Sequence, residues 1–162
     1  MIMSIKWSYL VVLLILAGSF SYCSDKAKGK GIAYKTIFYA RGYGRPSFDI
    51  TRDELSYNAP IHKIISNQED WVNLLAPLSQ GDLYCFSKTD IDFKEYLVIF
   101  LDEFFSSMSW RFEIARITEY SDRVVVYLRK RPPPSYDFDA ISGFTIIVKI
   151  PVTTKSIEFE YI

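Results

Sequence analysis

Histidine is almost absent from this chain: His62 stands alone. One imidazole excludes a histidine-rich metal centre, and any serine–histidine or cysteine–histidine pair would have to use this residue. Cysteine is nearly as scarce, with Cys23 and Cys85 only, so a disulfide framework is limited to one bridge. Net charge is lacking too, because 19 basic side chains balance 19 acidic ones. Nucleic-acid binding needs a concentrated basic surface, and nothing in this balance supplies one. Long apolar runs are missing as well. The longest, at residues 7–17, has 11 residues, whereas a membrane-spanning helix takes about 20.

That short run is informative through what surrounds it. Lys6 precedes it, and Gly18-Ser-Phe-Ser-Tyr-Cys23-Ser-Asp-Lys follows. A basic start, an apolar stretch and a patch of small residues form a bacterial-type export signal. A cysteine directly after it, leading into polar residues, points to a lipid anchor on Cys23. Tyr22 occupies the position where a lipoprotein signal usually has a small residue. A second reading therefore stays open, with cleavage after Ser19, where Ala17 and Ser19 fill the −3 and −1 positions. The product would be a soluble periplasmic or secreted protein whose Cys23 and Cys85 could pair. A retained anchor is a third. The expected organisation is a signal at 1–22, a Lys- and Gly-containing flexible tether at 23–32 and one domain at 33–162.

Aromatic residues at 17% and hydrophobic residues at 49% supply a sizeable core. Residues 34–40 read as a first strand, ending at the turn Arg41-Gly-Tyr-Gly-Arg-Pro46, and 47–59 as a long loop. Residues 60–65 form a second strand. Ser66-Asn-Gln-Glu69 then matches a capping box, and Trp71, Leu74, Leu75 and Leu78 make one apolar stripe, predicting a covering helix over about 66–78 that Pro77 and Gly81 end. Residues 96–101 are apolar without a break, as in a central strand buried on both faces. Trp110, Phe112 and Ile114 alternate with polar partners until the phase slips, predicting a bulge near Ala115. After a turn at 119–122, Val124, Val126 and Leu128 define the next strand. Phe144, Ile146, Val148 and Ile150 define another, and Ile157, Phe159 and Tyr161 the last, with Glu158 and Glu160 facing out. About seven strands and one helix make an α+β domain, mostly antiparallel, in a sheet or sandwich-like arrangement.

No catalytic motif emerges. His62 reads as an ordinary strand-surface histidine, and nothing around Cys85 resembles a cysteine-protease signature. Asp90 and Asp92 would share a strand face, and Asp102 with Glu103 closes the buried strand. Either pair could bind calcium or serve as an acid and base, but EF-hand spacing is absent and solvated turns explain them. Gly42-x-Gly44 lacks the third glycine of a nucleotide fingerprint. The run Lys130-Arg-Pro-Pro-Pro-Ser-Tyr136 favours an extended connection leaving a strand edge. A partner-binding loop is the functional alternative, with Pro132, Pro133, Pro134 and Tyr136 as contact residues. Tyr43, Tyr57 and Tyr136 fall in loops, where flat rings could stack on sugars. No cofactor or metal is expected.

Residues 64–71 (Ile-Ile-Ser-Asn-Gln-Glu-Asp-Trp) and 91–100 (Ile-Asp-Phe-Lys-Glu-Tyr-Leu-Val-Ile-Phe) resemble the PrcB-like family, as do the strands at 123–127 and 144–151. The namesake of that family is a lipoprotein subunit of a bacterial surface protease complex. The family's Thr-Gly-Gly-Tyr-like turn is replaced here by Ser106-Ser-Met-Ser-Trp110, with Trp110 available for the aromatic role in a partner contact. The resemblance implies a non-enzymatic, envelope-attached lipoprotein that binds a protein partner, a secreted or surface protease, in assembly or stabilisation. A peptidase-inhibitor-like or carbohydrate-binding module is the rival expectation. Oligomeric state is not readable.

Overall fold

The computed structural model describes residues 29–41, 60–86, 89–105, 110–132 and 142–162. Cys23, Tyr43, Tyr57, Pro133, Pro134, Tyr136 and most of the 106–110 turn lie outside them. Among the described residues the chain is mostly β, in two four-stranded sheets with two short helices. The strands are β1 (Lys30–Gly31), β2 (Lys35–Arg41), β3 (Ile61–Ile65), β4 (Tyr96–Phe105), β5 (Arg111–Glu119), β6 (Arg123–Arg131), β7 (Ser142–Pro151) and β8 (Ser156–Tyr161). Helices α1 (Gln68–Leu75) and α2 (Gln80–Tyr84) fall between β3 and β4. One sheet runs β1-β5-β6-β8 and the other β2-β7-β4-β3.

The alternation of β4 and β7 explains the layering. Leu97, Ile99 and Leu101 of β4 share one face with Phe144, Ile146, Val148 and Ile150 of β7. They meet Phe112, Ile114 and Ile117 of β5 and Val124, Val126 and Leu128 of β6, forming the core between the sheets. Val98, Phe100 and Ile147 point the other way, into a second core with Ile65, Trp71, Leu74, Leu78, Phe86 and Ile91. Because both faces are covered, residues 97–101 read as an unbroken apolar run. The order of layers is helices, sheet, sheet.

Several expectations hold in detail. The β5–β6 register shifts between Ile114 and Arg116, which places the bulge at Ala115. Trp71 and Leu74 are buried on the inner side of α1. Among the described residues every strand pairing is antiparallel except that of β6 with β8, which run parallel.

Three expectations are corrected. First, the helix is shorter and starts later than 66–78: Asn67, not Ser66, is the cap, accepting at its side-chain oxygen from the Asp70 N–H at 2.8 Å. Asparagine caps at least as well as serine, and from Asn67 it also binds the Asp70 carboxylate at 2.7 Å. Second, Gly81 does not end the helical segment but lies inside α2, capped by Ser79 through the Asp82 N–H. Third, Lys30 and Gly31, placed in the tether by composition, pair with Glu119 and Thr118 of β5 as an eighth strand. A two-residue strand shows no period. What fixes it is shape: a Cβ on Gly29 would collide with the side chains of Thr118 and Tyr120.

Candidate functional site at the β3 edge

β3 borders the helix-covered sheet, pairing with β4 alone among the described residues. Its residues alternate between two environments. His62 lies opposite Leu101 and so faces the second sheet, while Lys63 and Ile65 lie opposite Phe100 and Val98 and face the helices. The same short strand therefore touches a polar cluster between the sheets and a groove beside α1.

The polar cluster centres on Glu103. It belongs to the same β4 face as Leu101 and Phe105, and only 1% of it is exposed. Its Oε1 receives the Tyr161 hydroxyl of β8 and contacts His62 Nε2 at 3.1 Å. Its Oε2 takes the Lys130 ammonium of β6 at 2.9 Å. Lys130 also sits 4.0 Å from the centroid of the Tyr161 ring and 5.4 Å from that of Phe105. The His62 ring packs on Phe159 with centroids 4.6 Å apart. Three strands drawn from both sheets thus converge on the carboxylate of a fourth.

Burial by itself would push the Glu103 carboxyl up, but hydrogen bonds from His62, Tyr161 and Lys130 and the lysine charge outweigh it and hold the carboxyl below its ordinary value. Tyr161 moves the opposite way. Desolvation comes first and the adjoining carboxylate second, and both keep its phenol protonated well above the ordinary tyrosine range. Both Glu103 oxygens have partners on other strands, so this ion joins the sheets.

This corrects the sequence expectation on two counts. β4 does not close at Leu101 but continues to Phe105, so Asp102 and Glu103 are buried strand residues instead of a solvated turn. Being neighbours on a strand, they face opposite ways: Asp102 accepts from the Thr145 hydroxyl at 2.9 Å on the helix side. They cannot act together as an acid–base pair. His62 is likewise no plain surface histidine, with its side chain only 15% exposed. The available signal was the alternation Leu101, Glu103, Phe105, which continues the strand through a charged residue.

The remaining candidates are dispersed. Cys85 is exposed at the C-cap of α2, across the helix-covered sheet from His62, so no dyad forms. Asp92 closes a turn before β4, accepting from the Lys94 N–H at 2.9 Å, and does not share a strand with Asp90. Trp110 stacks on Phe105, with centroids 5.4 Å apart, and packs against the inter-sheet core. Pro132 is exposed just beyond β6. Among the described residues no cluster of three or more His, Cys, Asp or Glu side chains is placed to hold a metal ion.

The groove occupies the other side of β3. Its volume is about 370 Å³, and Lys63, Ile64, Ile65, Asp70, Asn73 and Leu74 line it. Ile65 and Leu74 are buried, at 3% and 7% exposure, and form an apolar floor. Ile64, at 38%, remains open to solvent along the strand. An edge strand beside a walled groove offers two recognition elements at once: backbone hydrogen-bonding groups, and space for alternate side chains. No family model matches this chain, and comparison with curated proteins and with solved structures finds no match.

Proposed function

We propose that this protein is an exported, lipid-anchored, non-enzymatic module of the cell envelope that works by binding another protein. The observation that carries the binding role is the outer edge of β3, unpaired among the described residues, beside the α1 groove. A sheet edge of this kind recruits a strand or extended segment through its main chain. The export signal around residues 7–17 and the cysteine at position 23 support placement at the envelope. The resemblance of residues 64–71 and 91–100 to the PrcB-like family supports a secreted or surface protease as the partner, helped in assembly or stability.

The deciding experiment is affinity capture of the full chain from its native envelope. Recovery of a protease is the expected result. Retention on a glycan column with no protein partner overturns the reading in favour of a carbohydrate-binding module. Intact mass of the processed protein tests the anchor separately. A lipid-modified form beginning at Cys23 is expected, and an unmodified form beginning at Phe20 rules the anchor out.

A further inference from the structure

We propose that the β3 edge takes an extended segment of its partner as an added strand, and that this segment carries a carboxylate beside Lys63 and an aliphatic side chain two residues away over Ile65 and Leu74. This rests on the binding reading above and names the chemistry of the partner at that site.

The spacing follows from the strand. Side chains of an added strand alternate with period two, so those on the helix side lie next to Lys63 and Ile65. There they enter the groove between β3 and α1. Its floor at Ile65 and Leu74 is apolar and suits an aliphatic group. The intervening side chain falls on the opposite side, next to the exposed Ile64.

Charge selects the other position. The groove has one acid, Asp70, and its carboxylate is already engaged by the Asn67 side chain at 2.7 Å. Lys63 makes no ion pair among the described residues. Asp70 keeps its negative charge, because the Asn67 amide is neutral, but it stands on α1, whereas Lys63 stands on the strand that the added segment pairs with, so a partner carboxylate at the cross-strand position complements the lysine. The same lysine disfavours a second copy of this chain as the occupant. In the antiparallel register that pairs all of Ile61–Ile65 with itself, Lys63 would face Lys63, and like charges directly opposite are destabilising.

The test uses the full chain in detergent solution and two eight-residue extended peptides, identical except for glutamate or lysine at the position meant for Lys63. Binding is followed through backbone amide signals. The glutamate peptide is expected to shift the amides of residues 61–65 and 68–75 and to bind about tenfold more tightly than the lysine peptide. K63E should reverse that order, and K63Q should abolish it. Lys63 is exposed, so all three proteins should melt alike. Equal affinities, no binding, or shifts confined to other residues would overturn the proposal. Envelope capture separates the two readings: if K63E recovers the protease as well as the unaltered chain, binding stands and this site falls, whereas failure of both chains sinks binding itself.

Discussion

Tyr161, near the end of the last strand, donates its hydroxyl to Glu103 in the middle layer of the fold. The bond joins the parallel edge strand of one sheet to an interior strand of the other. Lys130 reinforces it from β6 and His62 from β3. Y161F removes this link while leaving the ring. A hydrogen bond to a charged group contributes about 1.5–3 kcal/mol, and the half-exposed position of Tyr161 places the expected loss near the lower end. Urea unfolding would measure it, and faster amide exchange in β8 should accompany it.

The Glu103 cluster also sets a pH dependence. Its carboxyl is held below the ordinary value of 4.5, so the unfolded chain takes up this proton first as pH falls. The stabilisation is complete above that value and disappears as pH drops through the folded pKa. Tyr161 behaves as the mirror image. Its phenol titrates above 10.0 in the fold, so its contribution is intact below pH 10.0 and declines as pH rises beyond it. In E103Q both slopes should flatten when melting temperature is followed across pH. Unchanged acid and alkaline slopes would show that the cluster does not control either.

At the start of α1, the cap lies on Asn67 rather than Ser66. N67A is expected to cost about 1 kcal/mol, since it leaves the Asp70 N–H without its acceptor. S66A should change stability by no more than a few tenths of that amount, because Ser66 is exposed and outside the helix. Thermal melts of the two variants side by side would test the assignment.

Gly29 sits against Thr118 and Tyr120 closely enough that no Cβ fits without displacing them. G29A should lift the Lys30–Gly31 strand from β5. The sensitive reporter is the Ile32 amide, which donates to the Ile117 carbonyl at 2.9 Å. Its hydrogen exchange should accelerate in G29A while the amides of β4 and β7 keep their protection. Uniform acceleration everywhere would instead indicate global destabilisation.

Trp110 has its ring against Phe105, at an interplanar angle of 20°. W110A should therefore destabilise the fold by about 2–3 kcal/mol, somewhat less than full core truncations of this type because the ring is part-exposed. W110F, which keeps a stacking partner, should recover most of that. If W110F preserves stability yet abolishes capture of the partner, the tryptophan contributes contact as well as packing.

The strands carried by regular alternation were readable without coordinates. Phe112 and Ile114 on β5, Val124, Val126 and Leu128 on β6, and Phe144, Ile146, Val148 and Ile150 on β7 face the inter-sheet core as their period requires. Even the bulge at Ala115 was visible, because one extra residue inverts the phase of everything after it. Gly29 and Lys30 were not readable, because a close approach leaves no periodic trace. Glu103 was misjudged for a related reason: a charge at the end of an apolar run normally signals solvent, and its burial depends on donors remote in sequence.

Residue pattern alone thus determined a mostly β chain with a helical cover over one face, since backbone period and side-chain polarity act within a few residues of each other. Only the tertiary structure decided how the strands divide between two sheets, that β8 runs parallel to β6, and that β3 pairs on one side only among the described residues. It also decided that His62, Lys130 and Tyr161 meet at one carboxylate. A buried ion is tolerable only when its partners arrive together, and these arrive from three separate strands. That convergence is a property of the assembled sandwich and of no single segment.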